Sequence, residues 1–238
     1  MNQPELTNAL ASVQAERLKT SIILLGSPPL LLTWKYFGSP EFYLEHLAPR
    51  WAMLGDPQIA AAVYNFATCF LLMGLLPAIV VKTVFGERLA DYGVQWGNRR
   101  TARSFLILLP GVLLVAYLAS LDPQVAAHYP MNKQAAASPT MFAFHAASYS
   151  MFYLGWEFYF RGFMQMGLHK NLGRLHAVAV QVLASSLLHI GKPASETFAA
   201  IAGGLFLGLL AYRTRSLLSG LMLHFLLGVA LDWFICYL

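Results

Sequence analysis

Long apolar stretches separated by short polar turns make up most of this chain. Residues 59–81, 105–119, 141–160, 175–188, 197–212 and 217–238 are apolar nearly throughout. A run of about 20 such residues crosses the hydrocarbon core of a bilayer as a helix, so each stretch reads as a membrane span. A seventh, 21–34, is shorter and carries Gly26, Pro28 and Pro29, which leaves a kinked span and a re-entrant segment both open. The polar residues ahead of it include Glu5 and Glu16 and no small-residue cleavage pattern follows, so it does not read as a signal peptide. The pattern predicts an all-α, polytopic membrane helix bundle of about seven transmembrane helices, or about six if the first stretch is re-entrant. In this division 1–20 is an N-terminal cytoplasmic segment, 21–138 holds the N-terminal transmembrane helices and interfacial loops, and 139–238 is a C-terminal bundle.

Composition agrees with the pattern. Apolar residues are 58% of the chain and charged residues 11%, against roughly 45–50% and about 25% in soluble domains, and mean hydropathy is +0.55. That balance excludes a disordered chain, a nucleic-acid-binding surface and a water-soluble enzyme. The net charge of +5 matters through its placement. With the N-terminus inside, twelve Lys and Arg residues fall on inner segments and four, Lys35, Arg50, Lys133 and Lys192, on outer ones. Such an excess orients membrane proteins with the basic loops inside. The outer segment 37–58 mixes Phe42, Tyr43, Leu44, Leu47 and Trp51 with Glu41, Glu45 and Arg50, the composition of an interfacial amphipathic helix. The inner segment 82–103 is the main basic loop, with Trp96 as an interface anchor. Cys69 and Cys236 lie in apolar runs and read as small buried hydrophobes, suiting neither a disulfide framework nor a zinc knuckle.

Ionisable residues inside spans are expensive, so each raises a question of function. Here they concentrate in the C-terminal half. His145, Tyr149, Tyr153, Glu157, Arg161 and Gln165 recur every four residues, which places them on one stripe of a helix. Glu157 and Arg161 form an i,i+4 pair able to make a charge-assisted hydrogen bond. Gln181, Ser185 and His189 repeat the spacing on the next span, and His224 and Asp232 lie on the last. His145 and His176 fall near span ends and read as interfacial. The stretch 162–168 is apolar enough to continue its helix to the basic turn at His169. Glu157 then lies about 18 Å from the inner turn, His189 about 20 Å and His224 about 12 Å, at 1.5 Å per residue. One carboxylate and two imidazoles are thereby expected to converge between mid-membrane and the outer half. Gly203, Gly204 and Gly208 have the small-residue spacing of a close helix contact.

These residues resemble the motifs of the CAAX-protease-and-bacteriocin-processing (CPBP, or Abi) family of intramembrane endopeptidases. WEFYFRG supplies Glu157, Arg161 and Gly162 of its first motif, SSLLH supplies His189, and LMLHFLLG supplies His224. The likeness covers 156–232. Three positions depart from it: Trp156 stands where the family has a first glutamate, Ser185 where it has a phenylalanine, and Gly228 where it has Asn or Asp. The resemblance implies peptide hydrolysis within the membrane, with Glu157, His189 and His224 catalytic and Arg161 in support. Glu196 is a possible stand-in carboxylate, and Asp232 a substitute for the polar group missing at 228. It makes 139–238 the catalytic bundle and the substrate a membrane-anchored or hydrophobic peptide, with no nucleic-acid partner.

No metal or other cofactor is expected, although two His and one Glu is a ligand set of some zinc hydrolases. The Trp156 departure keeps a second reading open, a catalytically inactive relative acting as an immunity or binding factor. Short loops and the lack of a targeting segment suit a bacterial inner membrane, with the N-terminus cytoplasmic.

Overall fold

The computed structural model describes residues 3–50 and 56–238, and among them the chain is all-α. The long helices are α1 (Gln3–Phe37), α2 (Pro57–Thr83), α3 (Arg99–Ser120), α4 (139–172), α5 (Arg174–Leu187), α6 (Ala194–Thr214) and α7 (Leu218–Tyr237). Of these α2, α3, α6 and α7 are long and apolar enough to cross a membrane, which makes this an integral membrane protein. Helix starts follow local chemistry. Asp56 caps α2 by accepting from Gln58 N, Asn98 caps α3 in a reciprocal box with Thr101, and Ser138 caps α4 ahead of Pro139.

Differences from the expected spans have physical causes. The first stretch is longer than expected: α1 runs for 35 residues through Pro28 and Pro29 and takes in residues 3–20 as its first half. Its charges are compensated within the bundle, where Lys19 Nζ lies 2.8 Å from Glu16 and 3.0 Å from Glu87. Next to the prolines, Ser27 donates to Ile23 O and accepts from Tyr159 of α4 at 2.8 Å, which ties α1 to the bundle. The expected helix over 37–58 is a short turn, Pro40–Phe42, continuing as a π-helical turn over Tyr43–Leu47, with the Tyr43 ring buried against Tyr64. Trp51 lies outside the described residues. Trp96 in the basic loop is 93% exposed.

α4 is the axis of the molecule. From Gly155 to Gln165 every residue is buried, enclosed by α2, α5 and α7, while α7 in turn lies along α3 and α6 along α5. The packing around α4 is aromatic: Trp34 of α1, Phe66 of α2, and Phe152 and Trp156 of α4 meet with ring centroids 5–6.5 Å apart. Gly155 sets the crossing with α2, because a Cβ there would lie 2.6 Å from Cys69 O and 2.9 Å from Phe70 Cα. Both helices are locally π-helical beside this crossing, α2 over Phe70–Leu75 and α4 over Phe158–Met166. The glycines of α6 divide: Gly208 packs against Gln165 and Gln181 and Gly204 against Val182, whereas Gly203 faces open space.

Gly155→Ala is therefore expected to cost about 1–3 kcal/mol through backbone overlap, read as a lowered thermal midpoint in detergent. Gly203→Ala should leave the midpoint unchanged or slightly raised.

Candidate active site

The four-residue stripe of α4 is buried along its whole length, with His145, Glu157 and Gln165 no more than 1% exposed. Its polar residues take partners from other helices or from the stripe itself, although His145 Nδ1, Arg161 Nε and Gln165 Oε1 are left without a hydrogen bond among the described residues. Gln165 Nε2 donates to Gly208 O at 2.9 Å, and Gln181 of α5 makes the same bond to Gly204 O. These bonds hold α6 against α4 and α5. The Tyr149 and Tyr153 rings lie tilted against each other, centroids 4.7 Å apart. Gly162, the last residue of the WEFYFRG segment, leaves room for the inner loop: a Cβ there would stand 2.9 Å from Tyr92 O.

Glu157 sits at the centre. Its Oε1 is 3.2 Å from Arg161 Nη1 and 2.7 Å from His224 Nδ1 of α7. The carboxylate thus takes a cation from its own helix and an imidazole N–H from a neighbour on one oxygen. Oε2 has no hydrogen-bond partner among the described residues and lies 3.7 Å from where a Cβ on Gly220 would be. The missing side chain leaves space beside the uncommitted oxygen. His224, with its side chain 21% exposed, forms the open edge of this pair. Its ring stands edge-on to Tyr153, centroids 4.9 Å apart. One turn further along α7, a Cβ on Gly228 would fall within 1.9 Å of the Tyr153 hydroxyl. Gly220, His224 and Gly228 are spaced by four, so α7 offers Glu157 and Tyr153 an imidazole flanked by two vacant positions.

A second cluster lies beyond the end of α5. His189 follows the end of α5 and its Nδ1–H donates to Ser185 O at 2.8 Å, which leaves Nε2 pointing at Glu196 Oε1, 4.0 Å away. The same Glu196 oxygen accepts from Lys192 Nζ at 2.8 Å and from Tyr129 OH at 2.7 Å. The turn is fastened from two sides, by Lys35 of α1 donating to Leu188 O and Ile190 O and by Thr197 donating to His189 O. Trp156 divides the clusters: its indole meets the His189 ring edge-on at 5.5 Å and stacks on Phe152. His189 remains within electrostatic reach of His224. Glu157, Arg161 and His224 thus meet directly, while His189 and Glu196 form a neighbouring group.

Asp232 belongs to neither. Its Oδ2 is 2.7 Å from His145 Nε2, with both side chains fully buried. His145, read from the sequence as interfacial, is half of a second buried carboxylate–imidazole pair. Its four-residue spacing to Tyr149 and Glu157 was the signal that placed it on the buried stripe. No group of three or more His, Cys, Asp or Glu side chains among the described residues is arranged to hold a metal ion, and the one carboxylate oxygen near His224 is already committed to Arg161.

The two buried pairs should respond differently to mutation. Asp232→Ala leaves His145 without its partner and should destabilise by about 3–5 kcal/mol, as expected for half of a buried pair, visible as a fall in thermal midpoint. Asp232→Asn, which keeps an acceptor, should recover much of that loss.

Residues 138–230 match the family model described as type II CAAX prenyl endopeptidase Rce1-like. The matched region takes in Glu157, Arg161, His189, Glu196 and His224 and ends before Asp232. Comparison with curated proteins and with solved structures returned no match. The family model and the motif residues lie on the same helices, α4 to α7, so residues 138–230 are similar to Rce1-like type II CAAX prenyl endopeptidases.

Proposed function

We propose that this protein is an intramembrane endopeptidase that cleaves a membrane-anchored or hydrophobic peptide segment, with Glu157 as the general base. The observation that carries this reading is the division of labour on one carboxylate: Oε1 is held by Arg161 and His224 while Oε2 faces the space beside Gly220. In this mechanism a water beside Oε2 gives its proton to Glu157 as its oxygen attacks the scissile carbonyl carbon. The C–N bond then breaks, and the proton held by Glu157 passes to the departing amine. His224, hydrogen-bonded through Nδ1, orients the carboxylate and presents Nε2 to the reacting groups. The Tyr153 hydroxyl, seated in the room left by Gly228, donates to the developing oxyanion. Asp232 is engaged by His145, so Tyr153 takes the part expected of the residue missing at 228. His189 and Glu196 border the site from the outer side across Trp156 and belong to substrate positioning.

The same reading extends to the membrane. Adding α1, α4 and α5 to the four helices of sufficient length and hydropathy gives a seven-span topology. The twelve-to-four distribution of Lys and Arg supports an inward N-terminus, in a bacterial inner membrane. Residues 139–238 act as the catalytic bundle and 21–138 as the part that shields it. A second reading, an inactive relative serving as an immunity or binding factor, is favoured by one observation. Trp156 stands at the first motif position and is buried among aromatic rings, where it supplies no carboxylate.

A cleavage assay on a library of membrane-anchored peptides in liposomes separates the two. On the protease reading Glu157→Gln loses about 10²–10⁴-fold in rate and Tyr153→Phe about 10²–10³-fold, each with a near-wild-type thermal midpoint. Equal rates for wild type and Glu157→Gln would remove Glu157 from the chemistry. No cleavage by folded wild type across the library would favour the inactive relative. For topology, a single cysteine at Ser195 in a background lacking Cys69 and Cys236 should react with a membrane-impermeant maleimide from outside. Labelling from the inside would invert the orientation.

A further inference from the structure

At the inner end of the bundle the first turn of α3 faces the junction of α6 and α7 across a cleft of about 670 Å³. Arg99, Arg100, Arg213 and Arg215 line it, and a second cleft of about 390 Å³ continues from Arg99, Arg100 and Arg213 past Arg103 to Ile107. Neither lining contains a carboxylate. Several other basic residues of this face are paired, while Arg17 and Lys82, like the cleft arginines, have no ion-pair partner among the described residues. Lys19 and Lys170 pair with Glu16 and Glu87, Arg88 pairs with Asp91, and Arg174 lies over the Tyr212 ring. The five cleft arginines have no ion-pair partner among the described residues.

Their placement is costly unless an anion joins them. Arg99, Arg100 and Arg103 occupy the start of a 22-residue helix whose first turn holds no acidic residue, so three cations face the positive end of the helix dipole. Arg215 is held with φ at +54°, the left-handed region that side chains rarely adopt. The turn is fastened there by bonds to the opposite loop: Gln95 donates to Arg215 O, Ser216 Oγ donates to Gln95 O at 2.9 Å, and Leu217 N donates to Gly93 O at 3.0 Å. These contacts fix the distance between the two sets of arginines, so the cleft is built into the fold.

What continues from the arginines decides the ligand. The second cleft runs past Ser104 onto Ile107, and α3 exposes Leu106, Ile107 and Leu114 toward the bilayer. A charged end and an apolar end joined in one groove suit an amphiphile. We propose that this cleft binds an anionic phospholipid, its phosphate on the arginines and an acyl chain along the Ile107 side of α3. The site is separate from Glu157 and does not depend on the protease reading.

Native mass spectrometry of the full-length protein, released from mixed micelles of phosphatidylglycerol and phosphatidylcholine, tests it. Wild type should retain phosphatidylglycerol in preference to phosphatidylcholine. The Arg99→Gln/Arg213→Gln double variant should retain about tenfold less or lower still. Arg17→Gln/Lys82→Gln, which removes the same charge elsewhere, should behave as wild type. Thermal midpoints measured without lipid verify that both variants are folded. Independently, phosphatidylglycerol should raise the wild-type midpoint, with no equal rise from millimolar inorganic phosphate. Equal retention of both lipids, equal loss in both variants, or a phosphate effect as large as that of the lipid would each overturn the proposal, the last in favour of a free anion.

Discussion

A carboxylate and a guanidinium buried inside an apolar helix bundle have to find their compensation from the protein itself, because the apolar side chains around them offer none. Glu157 and Arg161 impose that condition here, and much of the bundle answers it. α4 carries them and is enclosed by its neighbours over the segment that includes both. The helix crossing at Gly155 brings backbone to backbone two residues before Glu157, which leaves no lipid path to the charge from that side. His224 closes the opposite side by donating to the oxygen that Arg161 pairs with by charge. Below them, Gln165 and Gln181 reach the carbonyls of Gly208 and Gly204, so the helix that covers the stripe is held by hydrogen bonds that would be unfavourable to leave unmade in an apolar interior.

The long helices were legible in the sequence because each needs an uninterrupted apolar run, and that run is a one-dimensional property. The observed α2, α3, α5, α6 and α7 start and stop within a few residues of the apolar stretches. α1 was less legible for the same reason. Glu16, Lys19 and the two prolines interrupt its pattern, but their compensation comes from Glu87, Lys170 and Tyr159, residues remote in sequence. A window of hydropathy cannot register a partner 68, 132 or 154 positions away. The π-helical segment Phe158–Met166 was hidden too: it follows Glu157 directly, and nothing in FYFRGFMQM distinguishes it from ordinary helix.

The functional residues divide along similar lines. Counting residues from the inner turns estimates depth, and depth correctly brought Glu157 and His224 within reach of each other. It says nothing of azimuth, the direction in which a side chain leaves its helix. His189 shares a level with Glu157 yet looks across Trp156 toward Glu196. Asp232 lies on the same helix as His224, two turns on, yet is turned into His145. Azimuth depends on how helices pack, and packing here is set by glycines and aromatic rings whose partners lie on other helices.

That dependence gives the departures from the family motif a physical reading. Gly228 and Tyr153 are complementary, since a side chain on one position would occupy the volume of the other. A hydroxyl delivered from α4 therefore fills the space that a residue on α7 would otherwise take, and a polar group remains beside His224 although its origin has changed helix. Trp156 admits no such exchange. Its indole fills space between His189 and the Phe152 ring, and the nearest other carboxylate, Glu196, is bound to Lys192 and Tyr129 on the far side of it. Any chemistry at this site consequently falls to a single carboxylate oxygen, Glu157 Oε2, with Arg161 and His224 both bearing on the other oxygen of the same group.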